Sequence, residues 1–205
     1  MVEIVVFDIG RVLVEWDPEA YYAKKIGAKR AAQFFATVPM FDQHFKSDQG
    51  ENFFDVIEAT AKAYPDWEAE IKLWAEDWDE ITKDPISLSA EIMMALKARG
   101  IPVWGLSNFG AENFPITQAQ HPVLQSFDRL FLSGELMLVK PDPAIYALVE
   151  EQADCAPESL YFIDDTPANI EAAKTRGWQT HHFKGPAFLL GDLVERGLLT
   201  AEDFQ

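Results

Sequence analysis

Cysteine is nearly absent: Cys155 stands alone in 205 residues, so no disulfide can form within the chain and a cysteine-built zinc cluster is excluded. Basic residues are scarce as well. Seventeen Lys and Arg face thirty-four Asp and Glu, a formal net charge of −17, which repels phosphate backbones and anionic lipid surfaces. Nucleic acid and membranes are therefore not expected as partners. No apolar run approaches the ~18 residues that a membrane span requires. The opening MVEIVVFDIG reads as a short strand, without the basic flank or small-residue cleavage site of a leader. The expectation is a soluble cytoplasmic protein, monomer or homodimer. Internal repeats and low-complexity segments are missing too. Cys155, between Asp154 and Ala156, has no neighbouring base in sequence and reads as inert.

What the chain does have is apolar content. With 48% hydrophobic and 25% charged residues it can bury a core, as one compact domain or as one with an inserted subdomain. Through the second half, short β-rich runs alternate with longer helical patterns, the sign of βαβ units around a parallel sheet. Strands are predicted at Ile4 to Phe7, Val103 to Leu106, Arg129 to Leu132, Leu160 to Ile163 and Thr180 to Phe183. Leu88, Ile92 and Leu96 recur at four-residue spacing before the stop signal Arg99-Gly100, as on an amphipathic helix. Helices are also predicted over Pro143 to Glu151, Pro167 to Arg176 and Pro186 to Arg196, each opened by a proline suited to the first helical turn.

Between residues 15 and 85 the strand signals vanish and aromatic-rich helical periods replace them, which reads as an all-helical insertion. Phe53, Phe54, Ile57, Ala61 and Tyr64 mark one stripe, and Trp67, Ile71, Trp74 and Trp78 another, with the breaker Pro65-Asp66 between them. Both read as subdomain core. Asp48 to Glu80 holds eleven acids and two lysines, read as a solvated acidic face. An excursion that leaves after the first strand is anchored where that strand emerges, which is also where open parallel sheets bind ligands. Such an insertion would form a lid.

Four short stretches sit at or just past predicted strand ends. In Phe7-Asp8-Ile9-Gly10-Arg11-Val12, a carboxylate follows a buried strand, and Asp8 can be a nucleophile, a metal ligand or a turn cap. In Gly105-Leu106-Ser107-Asn108, Ser107 and Asn108 offer a hydroxyl, an amide and backbone N–H groups for phosphate oxygens, or an ordinary N-cap. In Lys140-Pro141-Asp142-Pro143, a lysine braced by prolines can offset the charge of a phosphate and a carboxylate brought together. In Phe162-Ile163-Asp164-Asp165-Thr166-Pro167-Ala168-Asn169, two adjacent acids with Asn169 nearby suit a hard divalent cation.

In this order the four stretches resemble the signature series of the haloacid dehalogenase superfamily, whose members are mostly magnesium-dependent phosphatases. The closest likeness is to cytoplasmic sugar-phosphate phosphatases of the Asp-Leu-Gly-Asn type, through Asp8-Ile9-Gly10-Arg11-Val12. The resemblance implies an α/β fold, a doubly wound Rossmann-like parallel sheet formed by residues 1–14 and 86–205, with residues 15–85 as a helical cap. It further implies that Asp8 takes up a phosphoryl group, Ser107 and Asn108 bind its oxygens, and Lys140 neutralises the pair. Mg2+ would be held by Asp8, the carbonyl of Gly10 and Asp165, with Asp164 close by. The implied activity is hydrolysis of a small phosphate ester, a sugar phosphate, through an aspartyl-phosphate.

Two positions depart from that pattern. Gly10 stands where family phosphatases carry a second aspartate that protonates the leaving alcohol. A glycine exchanges no proton, and positioned acid–base groups are worth ~10² to 10⁴ in rate. Glu15 or Asp17 could substitute, although each also reads as a surface acid or, for Asp17 before Pro18, a helix N-cap. Arg11 replaces the commoner Asn or Gly; it can contact phosphate or a substrate carboxylate, or pair with Glu15 or Asp17. Within the helical segment, Asp42-Gln43-His44-Phe45-Lys46 and Gln49-Gly50-Glu51 form a polar cluster that could supply selectivity, with Asp42 next in line as an acid. His121, His181 and His182 read as structural. Two other functions use the same residues: a metal-independent 2-haloacid dehalogenase built on Asp8, in which halide leaves without a proton, and a phosphate-binding protein without turnover.

Overall fold

The computed structural model describes residues 1–204. Ile4–Phe7 is an unbroken apolar run, and every residue of it is buried as strand β1; burial on both faces is what a central place in a parallel sheet requires. From β1 the chain leaves through α1 (Pro18–Ile26), α2 (Ala28–Thr37), α3 (Met40–Asp48), α4 (Phe53–Ala63), α5 (Glu68–Glu76) and the short α6 (Trp78–Ile81). It returns by α7 (Ser87–Ala98) to β2 (Val103–Ser107). Then follow α8 (Phe114–Gln120), β3 (Arg129–Leu132), α9 (Ser133–Leu136), α10 (Pro143–Gln152), β4 (Leu160–Asp164), α11 (Pro167–Thr175), β5 (Gln179–His182) and α12 (Pro186–Glu195).

The strands are parallel in the order β3-β2-β1-β4-β5. The chain therefore works outward from β1 to β3 and then crosses to β4 and β5, so strand order reverses at β1. The crevice beyond that reversal is where open α/β sheets bind ligands. All the predicted strands are present, with shifts at their ends. β2 and β4 run on into Ser107 and Asp164, which pair with Leu132 and His182, and β5 is displaced to begin at Gln179. These extensions carry polar residues into the ladder, where an apolar-run criterion stops short. No helix among the described residues is long and apolar enough to cross a membrane.

Alternation along β1 splits the core. Val6 faces a layer with Leu106, Phe162, Ile145, Val149 and Ile170. Val5 and Phe7 face the other, with Ile92, Leu96, Ile163, Leu189 and Leu193, and that layer continues through Ile9, Val12 and Leu13 into Tyr22, Phe34, Phe53, Trp74 and Trp78 of the helical segment. The two chain crossings lie side by side: Glu15 N–H donates to the Asp84 carbonyl and Ile86 N–H to that of Leu13, each at 2.9 Å. Of the first predicted stripe, Phe53, Ile57 and Ala61 are buried but Phe54 is 44% exposed. One residue turns a helix by about 100° and carries Phe54 off the inward face. Of the second, Ile71, Trp74 and Trp78 are buried, while Trp67 is covered by the Arg30 guanidinium 3.8 Å above its ring.

The end of α3 is fixed by a glycine. Gly50 has φ +102°, and a Cβ there would meet Met137 Cγ at 2.7 Å and the Gly134 carbonyl oxygen at 3.3 Å. Gly50→Ala is expected to lose about 1–3 kcal/mol, combining left-handed strain with a steric clash. Urea unfolding followed by circular dichroism measures it, and an unchanged midpoint would show that the turn relaxes freely.

Candidate active site

The carboxyl ends of β1, β2 and β4 bring the four sequence stretches together. Asp8 follows β1 directly, its N–H donating to the Ile163 carbonyl at 2.9 Å, which holds it in line with the sheet. Asp8 is buried, and its Oδ1 accepts from the Ile9 N–H at 2.7 Å. Ser107 and Asp164, the last residues of β2 and β4, are buried beside it. Lys140 reaches in from the loop before α10. Its ammonium donates to the Leu106 carbonyl at 2.9 Å and meets Asp8 Oδ1 at 2.9 Å and Asp164 Oδ2 at 2.7 Å, an acceptor for each of its three protons.

Asn108 keeps the lysine in place. Its Nδ2 donates to the Lys140 carbonyl at 2.9 Å while its Oδ1 accepts from the Lys140 N–H at 2.8 Å. Burial alone would drive the Lys140 ammonium to lose its proton, but the charges of Asp164 and Asp8 outweigh that and leave its pKa above the ordinary value. Burial pushes Asp8 above the usual carboxylate range, with the Lys140 charge opposing and Asp164 adding to the rise. The lysine is thus a permanent cation between two acids.

Asp164 has no oxygen to spare: Oδ1 accepts from Thr166 N–H at 2.8 Å, Oδ2 from Lys140, and Asn169 Nδ2 reaches both, at 3.1 and 3.0 Å. Asp165 is different. It is only partly buried, and its Oδ2 pairs with Arg11 at 2.7 Å across a guanidinium that is itself 56% exposed. Arg11 has φ +58°, uncommon for a side chain with a Cβ. Asp8, Asp164 and Asp165 each bring one oxygen within 4.8 Å of the others. The hard carboxylate oxygens of Asp8 and Asp165, with Asp164 beside them, suit magnesium.

A cavity of about 110 Å³ lies between the residues that follow β1 and β2 and the helical segment, lined by Gly10, Glu15, Trp16, His44, Asp48 and Asn108 among others. Gly10 is bare: a Cβ built on it meets nothing within 4 Å. The larger hollow beside Arg30, Glu70 and Leu73 contains none of the strand-end residues.

A family model for haloacid dehalogenase-like hydrolases matches residues 2–177. The chain belongs to that family. Among curated relatives of this hydrolase, the drimenol cyclase of Aspergillus calidoustus is 25% identical over 214 residues, covering 97% of this chain but 38% of its own length. The phosphorylated carbohydrates phosphatase of Thermotoga maritima is 37% identical over 51 residues, covering 25% of this chain and 24% of its own length. The chain thus spans less than half the length of these relatives. A haloacid dehalogenase family enzyme of Bacteroides thetaiotaomicron, solved with magnesium and inorganic phosphate, shares the fold at a TM-score of 0.66 and 22% identity, over 90% of this chain and 96% of its own.

Most residues singled out in this haloacid dehalogenase-like chain converge: Asp8, Gly10, Arg11, Ser107, Asn108, Lys140, Asp164 and Asp165. Arg11 pairs with Asp165, not with Glu15 or Asp17 as local spacing suggested. Asp17 caps α1, its Oδ1 accepting from Ala20 N–H at 2.9 Å. Asp42 lies exposed in the first turn of α3 and does not line the cavity. His121, His181 and His182 face the Thr82 carbonyl, Asp192 and the Asp165 carbonyl. The residue that sequence reasoning misplaced is Asp48, six positions beyond Asp42: read as the start of a solvated acidic face, it is buried. It had one local signal: a carboxylate in the last turn of a helix opposes the helix dipole, so its placement breaks a rule without visible gain.

Proposed function

We propose that this chain is a magnesium-dependent phosphomonoesterase acting on a small phosphate ester, a sugar phosphate, through an aspartyl-phosphate on Asp8. The observation that carries the reading is Lys140, an ammonium buried between Asp8 and Asp164 where a phosphoryl group would bring further negative charge. The Asp8 carboxylate attacks phosphorus, the bond to the alcohol oxygen breaks, and water then cleaves the acyl-phosphate, returning Asp8 and releasing phosphate. Lys140 offsets the charge that would otherwise keep nucleophile and phosphate apart. The Ser107 hydroxyl and the N–H groups after β2 bind phosphoryl oxygens, and Asn108 holds the lysine. Asp8, the Gly10 carbonyl and Asp165 would hold magnesium with Asp164 beside them, and the ion supplies Lewis-acid stabilisation of phosphoryl charge. Residues 15–85 form the cap over a core of residues 1–14 and 86–205, a boundary supported by the paired crossings at Glu15–Asp84 and Leu13–Ile86.

Phosphate release from a panel of sugar and aryl phosphates, with magnesium and with chelator, tests this. Release that needs magnesium supports the reading. The Arg11–Asp165 pair favours a second reading, because it already neutralises an acid that a metal would use: chelator-insensitive halide release from 2-haloacids, with no phosphatase activity, would establish that one instead.

The paired acids are expected to divide their labour. Asp165→Asn should weaken magnesium binding about 10-fold or more with little change in melting temperature, since its main partner is an exposed guanidinium. Asp164→Asn should instead lower stability by about 2–4 kcal/mol, because a buried lysine loses its closest charge. Calorimetric magnesium titration and urea unfolding separate the two, and the reverse ranking would put the pair out of register.

A further inference from the structure

We infer that Asp48 is the proton donor and acceptor that Gly10 cannot be, acting from the helical segment on substrate bound at Asp8. The inference rests on the phosphatase reading above and names the acid that reading lacks. In the first step the Asp48 carboxyl gives its proton to the alcohol oxygen as the P–O bond breaks and the electron pair goes to that oxygen. In the second, its carboxylate takes a proton from water as the water oxygen bonds to phosphorus and the Asp8–phosphate bond breaks. The proton is back on Asp48 at the end of the cycle, and no further reactant is needed.

Several observations place it there. Asp48 and Gly10 line the same cavity, Asp48 from the end of α3 and Gly10 from the turn after β1, and a β-carbon on Gly10 would meet nothing within 4 Å. Asp48 is 6% exposed, and its Oδ1 has no hydrogen-bond partner among the described residues. An enclosed carboxyl oxygen without a donor costs stability unless it carries a proton or meets a ligand. His44 stands with Nε2 at 3.8 Å from Oδ1, beyond hydrogen-bonding distance. Its Nδ1 accepts from Trp74 Nε1–H at 3.4 Å, and burial lowers its pKa to about 4, so it stays neutral and supplies no charge to ionise the acid. Burial raises Asp48 to about 7, with Lys140 opposing and Asp8 adding, in the range where one carboxyl can both give and take a proton near neutrality. Its place at the carboxyl end of α3 works in the same direction, since the helix dipole disfavours a charge there.

The alternatives fall short on position. Asp17 is engaged as a cap, Asp42 is exposed and outside the cavity, and Glu15 reaches the cavity from an exposed position. The end of α3 also packs against the loop after β2 and the end of α9. A Cβ on Gly110 would meet Ser47 at 3.2 Å, and one on Gly50 would meet Met137.

The test measures kcat/KM for the wild type, Asp48→Asn and Asp48→Glu across aryl and alkyl phosphates of graded leaving-group acidity, with magnesium throughout, together with intact-mass detection of phosphorylated enzyme. Asp48→Asn is expected to lose about 10²- to 10⁴-fold on alkyl phosphates and far less on nitrophenyl phosphate, so its dependence on alcohol acidity steepens. With nitrophenyl phosphate it should accumulate phosphoenzyme, because the second step lacks its base. Asp48→Glu should recover part of the alkyl phosphate rate. Adding Gly10→Asp to Asp48→Asn should flatten the dependence again, a rescue that a merely structural Asp48 would not permit. An active wild type whose slope and phosphoenzyme level are unmoved in Asp48→Asn overturns this inference and leaves the phosphatase reading standing. A wild type that releases no phosphate from any ester overturns both.

Discussion

Asp8→Asn is expected to abolish phosphate release, by at least about 10³-fold, while leaving the protein folded. The amide keeps the shape of the carboxylate but cannot form an acyl-phosphate. The structural consequences are contained: Asn Oδ1 can still accept from the Ile9 N–H, and Lys140 keeps both Asp164 and the Leu106 carbonyl. A thermal melt run alongside the assay separates the two effects. Substantial residual release from a folded Asp8→Asn variant would remove Asp8 from the nucleophile's role and return the search to Asp164 and Asp165.

Lys140→Met is expected to cost the most stability of these substitutions and to lower the rate as well. It leaves Asp8 and Asp164 buried with no ammonium between them, and removing one partner from a buried charged set costs about 3–5 kcal/mol. The sign of the pH dependence follows. The uncompensated carboxylates would bind protons more tightly in the folded state than in the unfolded chain, so the deficit relative to wild type should grow as pH rises. Added magnesium should recover part of it by supplying the missing positive charge. Urea unfolding at several pH values, with and without magnesium, reads all three outcomes; a deficit below about 1 kcal/mol at every pH would mean that the carboxylates are not held together by the lysine.

The sheet could be read from the sequence because parallel strands buried on both faces are written as short apolar runs, and Ile4–Phe7 and Leu160–Ile163 are such runs. The strand-end acids were legible for the same reason. Asp8 and Asp164 follow such runs at once, where a carboxylate is costly unless it has a task. What escaped depends on docking between distant elements. Arg11 finds Asp165 beyond the end of the neighbouring strand β4, far away in sequence, whereas sequence reasoning could weigh only its neighbours Glu15 and Asp17. Asp48 sits in a stretch that reads as a polar turn, and its burial arises from the seating of Ser47 and Gly50 against Gly110, Gly134 and Met137. No local periodicity encodes that contact. Asp42, more conspicuous in the sequence, lies at the opposite end of the same helix.

The empty space around Gly10 bears on how the site could change over generations. Some glycine codons lie a single base from aspartate, and a β-carbon at position 10 would meet no neighbour within 4 Å. A lineage could therefore acquire an acid on the sheet while still carrying the one on the helices, pass through forms that hold both, and discard either, with no intermediate that lacks a proton donor. The first carbon of such a side chain meets open space. Which acid a given descendant keeps would be decided by the alcohols it meets.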